Sequence, residues 1–171
     1  MQRVERYAQH PPQGFKTRYH GDYHLGQVLL ARNDFVIIDF EGEPARSLAE
    51  RRRKHSPLRD VAGMLRSFDY ARHMALTQAA RHEGDLDKLA PVAADWLSRV
   101  RGAFLEAYRA EAVAASLYAE PQDFDRQQPL LELFELEKAL YELRYELANR
   151  PDWVSVPLNG VTALAGLGTG N

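Results

Sequence analysis

Arg18-Tyr19-His20-Gly21-Asp22-Tyr23-His24-Leu25-Gly26-Gln27 is the stretch that decides the fold. Behind it come two apolar runs, Val28-Leu29-Leu30 and Phe35-Val36-Ile37-Ile38, joined by the turn-like Ala31-Arg32-Asn33-Asp34. Two such runs around an Asn-Asp connection predict a β-hairpin. Ile37-Ile38-Asp39-Phe40-Glu41 closes it. Gln27 follows Asp22 by five residues and Asp39 follows it by 17. A hairpin of that length brings Asp22, Gln27 and Asp39 to one end.

The residue types suit phosphoryl transfer, which asks the protein for positioning and charge more than for covalent chemistry. A carboxylate, Asp22, holds and deprotonates an attacking hydroxyl. Hard oxygens, the Gln27 amide and the Asp39 carboxylate, suit Mg²⁺, which takes few protein ligands and fills its shell with phosphate and water. Glu41 is a further candidate ligand. A rival set reads His20, Asp22 and His24 as ligands of a transition metal. Alternate residues of an extended segment point opposite ways, which argues against it. His20 and His24 are expected instead to support the loop, their rings bonded to backbone carbonyls.

The chain has 171 residues, 45% hydrophobic and 27% charged, with a net charge of -2 and no cysteine. One domain spanning 1–171 is expected, large enough to bury a core. Collagen-like and wholly disordered classes are excluded, as are disulfides and thiol chemistry. There is no basic field to recruit nucleic acid and no apolar run of membrane-spanning length. A cytoplasmic protein without nucleic-acid or membrane partners is expected.

Residues 41 to 57 are charged, contain Pro44 and Pro57, and read as loop. The basic run Arg51-Arg52-Arg53-Lys54 within them reads as a solvated surface. From Pro57 the period becomes helical, with Ser56 as N-cap. Val61, Met64, Leu65, Phe68, Ala71 and Ala75 share one face, and Asp60 sits in the first turn, where it favours the dipole or braces the loop. His82-Glu83-Gly84-Asp85 ends this helix. A second, from about Asp87 to Pro91 onward, buries Val92, Trp96, Val100, Ala103, Ala107, Ala114 and Tyr118. A third runs from about Pro129 to Asn149, and a short one begins near Val156. The terminal Gly166-Leu167-Gly168-Thr169-Gly170-Asn171 follows no strand and opens no helix, so a nucleotide loop is rejected there. The fold class is α+β, mainly α: a helical lobe with a short hairpin. The loop and hairpin occupy 17–41 and the helical part 57–167.

The third helix has an apolar stripe of Leu133, Leu136, Leu140, Leu143 and Leu147. Phe134, Tyr141 and Tyr145 lie nearly opposite, with Lys138 between them. That second face reads either as covered by another helix or as a sugar groove. Glu137, Glu142, Arg144 and Asn149 are candidates to bond sugar hydroxyls, with Tyr141, Tyr145 and Trp153 to stack.

His-Gly-Asp-Tyr-His-Leu-Gly-Gln, Ile-Asp-Phe-Glu-Gly-Glu-Pro and Ser-Pro-Leu-Arg-Asp-Val-Ala-Gly-Met-Leu-Arg-Ser-Phe resemble the bacterial maltokinases, including those fused to trehalose synthase. Glu135-Leu136-Glu137-Lys138-Ala139-Leu140-Tyr141-Glu142 and Asn149-Arg150-Pro151-Asp152-Trp153-Val154 look like that family too. The resemblance implies the C-terminal lobe of a protein kinase-like, aminoglycoside phosphotransferase-type fold. It implies ATP and Mg²⁺, and phosphorylation of maltose to maltose 1-phosphate. Asp22 would be the base, with His20 and His24 beside it, and Gln27, Asp39 and Glu41 the metal and nucleotide ligands. Another sugar or an amino alcohol is the alternative substrate, and a non-catalytic module attached to trehalose synthase the alternative class. Gln27 stands where the wider small-molecule kinases carry Asn. The nucleotide-binding N-terminal lobe is expected to be absent from these residues, so the chain alone is expected to be inactive.

Overall fold

The computed structural model describes residues 15–166, apart from Ala45 and Glu83. Strands β1 (Val28–Ala31) and β2 (Asp34–Ile37) form the expected antiparallel hairpin, with Val28 opposite Ile37 and Ala31 opposite Asp34. Its two-residue turn places Arg32 and Asn33 at φ 51° and 65°. Positive φ at both central residues is the turn whose twist matches that of the flanking strands, and Asn tolerates it well. One turn of 3-10 helix, Leu25–Gln27, leads into the hairpin.

Six helices follow: α1 (Leu48–Arg51), α2 (Leu58–Ala79), α3 (Asp85–Ala114), α4 (Pro121–Asp125), α5 (Gln128–Asn149) and α6 (Ser155–Ala165). The segment expected to be loop contains α1, closed by a capping box between Ser47 and Glu50. Nor is its basic run wholly solvated, since Arg51 Nη1 donates to the Glu41 carbonyl at 3.1 Å. Helix α2 starts one residue later than expected, and the Ser56 hydroxyl still accepts from the Leu58 N–H at 3.3 Å. Gly84, at φ 81°, separates α2 from α3. Pro91 lies inside the first two turns of α3, which starts at Asp85. Helix α3 ends at Ala114, before Ser116 turns the chain at φ 58°. Residues 167–171, which hold most of the Gly-rich tail, lie outside the described residues.

The core forms where α2 lies against α3 and α5, with α6 packed on α5. Leu58, Val61, Met64, Leu65 and Phe68 of α2 meet Ala112, Tyr118, Phe124, Leu130 and Leu131. Ala75 is exposed, so the buried face of α2 is confined to its first half. Val92 and Trp96 are exposed as well, because the buried side of α3 is set by Leu97, Val100, Phe104 and Tyr108.

Helix α5 departs most from its hydrophobic pattern. Leu140 and Leu147 are exposed, while Glu135, Ala139, Glu142 and Glu146 are buried. Each carboxylate has a cation or donor in reach. Arg101 donates to Glu135 at 2.8 Å, and Arg66 Nε to Glu142 at 2.9 Å. Glu146 accepts from Tyr70 at 3.1 Å and from Arg150 at 2.6 and 2.9 Å. Burial raises the carboxyls of Glu135 and Glu142 above their ordinary range, opposed by Arg101 and Arg66 respectively. No described helix is long and apolar enough to cross a membrane.

Candidate functional site

The loop is fixed from below by α2. The Asp60 carboxylate accepts the His20 N–H at 2.6 Å and the Gly21 N–H at 2.9 Å. Burial raises its pKa, against the pull of those two backbone donors. Of the two roles open to Asp60 in sequence, bracing the loop is the one the hydrogen bonds show. His20 is buried and ties the loop to the hairpin. Its Nδ1 takes the Asp22 N–H at 3.3 Å, so its Nε2 carries the proton and donates to the Ile38 carbonyl at 2.7 Å. His24 does not bond a carbonyl: its Nδ1 accepts the Gly26 N–H at 3.0 Å.

Helix α2 can approach this loop only because residue 63 is glycine. A Cβ there would lie 2.6 Å from the Tyr23 carbonyl oxygen, inside any tolerated contact. Gly63→Ala is therefore expected to destabilise the fold by about 1–3 kcal/mol through overpacking. That sign opposes the helix propensity of alanine, worth about 1 kcal/mol in the other direction. Urea denaturation measures it, and a stabilised variant would refute the contact.

Asp22 lines a cavity of about 350 Å³ shared by the loop, α2 and α5. Its Oδ1 lies 3.4 Å from Lys138 Nζ and its Oδ2 3.7 Å from His24 Nε2. The His24 bond, more than opposing burial, and then the Lys138 charge hold the Asp22 carboxyl below its ordinary pKa. Asp22 is thus an ionised, partly buried carboxylate, as a base for a hydroxyl must be. Tyr141, Tyr145, Tyr70 and Glu43 line the same cavity. Burial, then Glu43, pushes the Tyr141 hydroxyl up to about 12, so it remains a donor.

At the hairpin base the Ile38 N–H donates to the Gln27 carbonyl at 3.0 Å, which sets Gln27 beside the exit of β2. Gln27 Nε2 then donates to Asp39 Oδ2 at 2.9 Å. Asp39 has φ 63°, a left-handed conformation that Asp adopts more readily than most residues. An amide and a carboxylate placed side by side, exposed, with further oxygens on neighbouring Glu41, fit Mg²⁺, which expects one or two carboxylates plus phosphate and water. Among the described residues no three His, Asp or Glu side chains gather as a metal cage. Both ring nitrogens of His20 are engaged by backbone groups, the Ile38 carbonyl and the Asp22 N–H, which speaks against the reading of His20, Asp22 and His24 as transition-metal ligands.

The sugar candidates divide. Tyr141 and Tyr145 line the cavity beside Asp22. Glu137 lines an adjoining smaller cavity and pairs with Arg59 at 3.0 Å and Arg46 at 3.9 Å. Glu142 reaches the cavity wall but is engaged by Arg66. Asn149 Nδ2 donates to the Tyr145 carbonyl at 2.8 Å, and Arg144 is exposed. Trp153 stacks on Tyr70 at 6.2 Å with Arg150 over its ring, one shell behind the cavity. The contribution of Lys138, Glu43 and Tyr70 was not legible as a site. The available signal was Lys138 three residues before Tyr141, which puts both on one helix face.

The chain is 34% identical over 145 residues to a glucosamine kinase of Streptacidiphilus jiangxiensis, covering 85% of this chain and 31% of that protein. It is 34% identical over 154 residues to a glucosamine kinase of Mycolicibacterium smegmatis, covering 88% of this chain and 35% of the relative. The chain thus spans about a third of the length of these curated relatives. A solved glucosamine kinase superposes with a TM-score of 0.72 at 24% identity, covering 97% of this chain and 39% of that one. Another, in complex with glucosamine, ADP and inorganic phosphate, superposes at 0.67 with 26% identity, over 88% of this chain and 32% of that one. No family model matches the chain. The fold is therefore that of the corresponding part of a sugar kinase. These relatives are glucosamine kinases, where the sequence resemblance had implied maltokinases.

Proposed function

We propose that this chain is the substrate-binding, helical part of an ATP-dependent sugar kinase. The observation that carries the reading is Asp22, an ionised carboxylate lining the cavity, with its loop bonded through His20 to Ile38, the residue before Asp39. In this reading Asp22 orients the acceptor hydroxyl and takes its proton. His20 and His24 hold the loop. Gln27, Asp39 and Glu41 would hold Mg²⁺, whose charge neutralises the phosphates when it is bound. Tyr141 and Tyr145 offer the sugar flat faces, with Trp153 supporting through Tyr70. Glu137 and Asn149 remain candidate contacts at the rim.

For the substrate, an amino sugar is favoured over maltose. On the cavity wall Glu142 and Glu146 are engaged by Arg66 and Arg150, while Asp22 and Glu43 share the single cation Lys138, so the side of the cavity beside Asp22 keeps a negative excess that suits a cationic sugar. The relatives being glucosamine kinases points the same way. Maltose 1-phosphate formation stays as the second reading, because the motifs around Asp22 and Asp39 resemble those of the maltokinases. A nucleotide-covering lobe is assigned to residues outside this chain, and the attachment to trehalose synthase belongs to the maltose reading.

Release of ADP from Mg²⁺–ATP with glucosamine or maltose as acceptor separates these readings. A polypeptide carrying these residues plus a nucleotide-covering lobe is expected to turn over glucosamine in preference to maltose. The 171-residue chain by itself is expected to turn over neither, since positioning of the phosphates dominates this chemistry. Nucleotide binding without transfer to either sugar would favour a non-catalytic module.

A further inference from the structure

Helix α5 sends one cation into the site from 116 residues downstream of Asp22. Lys138 Nζ stands 3.4 Å from Asp22 Oδ1 and 3.8 Å from Glu43 Oε2, and 5.1 Å from the centroid of the Tyr141 ring. The Lys138 side chain is largely buried and lines both cavities that meet at the loop. His24 approaches the other carboxylate oxygen of Asp22. The two oxygens are thus gripped from opposite sides, one by the loop itself and one by a separate helix.

We propose that Lys138 is a positioning residue for Asp22, aiming its carboxylate at the acceptor hydroxyl. The proposal rests on the assignment of Asp22 as the base.

The geometry gives three reasons. Asp22 and Glu43 are like charges converging on one small space, and a cation between them removes the repulsion that would turn Asp22 away. Nζ carries three donors on a stem packed beside Tyr141, so it can hold both carboxylates without being drawn into solvent. Finally, the bond joins the loop to α5, the helix that also presents Tyr141 and Tyr145. Acceptor and base are thereby referenced to one rigid element, where small displacements are costly.

The charged and titratable groups facing Asp22 are His24 of its own loop, Glu43 after the hairpin, Asp60 of α2, and Lys138 and Tyr141 of α5. Glu43, Asp60 and an ionised Tyr141 would all raise the proton affinity of Asp22. His24 and Lys138 lower it. Removing Lys138 leaves only His24 on that side, so Asp22 must protonate at higher pH.

The test compares Lys138→Met and Lys138→Arg with the parent in an active polypeptide, using glucosamine, maltose and Mg²⁺–ATP. Lys138→Met is expected to lower kcat by roughly tenfold to a hundredfold and to move the acid limb of kcat against pH upward. Nucleotide affinity should not change, and Lys138→Arg should restore most of the rate. An acid limb that stays in place in Lys138→Met overturns the proposal, as does equal loss in the arginine variant. Carbon-13 NMR of the aspartate carboxyls, with Asp22→Asn for assignment, reads the same titration without turnover. An Asp22 resonance whose titration does not move in Lys138→Met likewise overturns it. Substantial turnover in Asp22→Asn would instead refute the base assignment, which keeps the two failures apart.

Discussion

Asp22→Asn is expected to lose turnover by about 10²–10⁴-fold while Mg²⁺–nucleotide binding stays near that of the parent. The substitution preserves size and leaves an oxygen for the Lys138 ammonium, 3.4 Å away. The loop should keep its place, because its backbone is held by Asp60 and His20 and not by the Asp22 side chain. What disappears is a carboxylate able to take a proton from the acceptor. Asp39→Asn should behave differently. Asp39 lies at the hairpin base against Gln27, and under the proposed function it would hold the metal on the phosphates, so its loss should weaken nucleotide binding as well. Calorimetric titration of both variants with Mg²⁺–ATP, beside kcat, gives the comparison. Matching losses of nucleotide affinity would mean that the two carboxylates do not have separate tasks.

What the sequence disclosed was local. Gln27 and Asp39 lie at the two ends of one hairpin, so spacing alone brings them together, and Asn33 in a two-residue turn fixes the register. The start of α2, to within one residue, and the break at Gly84 were legible for the same reason. Partners distant in sequence were not. The leucine stripe of α5 has the spacing of a buried seam, yet Leu140 and Leu147 are exposed. The face turned inward is instead the one whose glutamates meet Arg66, Tyr70 and Arg101, 34 to 76 positions away. Hydrophobic periodicity cannot register a face whose burial depends on charge pairing across helices. Lys138 escaped for the same reason, as did the stacking of Trp153 on Tyr70.

Removing Arg66 should produce the largest loss of stability. Its side chain is 2% exposed and donates to Glu142 at 2.9 Å and to Asp69 at 3.0 Å. Burial works against its charge, but these two carboxylates outweigh it and raise its pKa further. It also fills the space that α6 leaves at Gly160, where a Cβ would fall 2.3 Å from Arg66 Nη1. Arg66→Met strips Glu142 of its partner and leaves a buried carboxylate uncompensated, a defect that costs about 3–5 kcal/mol. The pH dependence has a definite sign. Burial already raises the Glu142 carboxyl in the parent, and without Arg66 it must rise further above its unfolded value. A raised folded-state pKa contributes stability below the unfolded pKa and loses it as pH rises through the folded one. The deficit of Arg66→Met should therefore be smallest in mild acid, where Glu142 is neutral, and grow toward neutral pH. Arg66→Met combined with Glu142→Leu should recover much of the loss, since an apolar pair of similar volume removes both buried charges. Urea denaturation of the parent and both variants across that pH range supplies the measurement. A pH-independent deficit, or no recovery in the double variant, would show that Arg66 acts by filling space rather than by compensating Glu142.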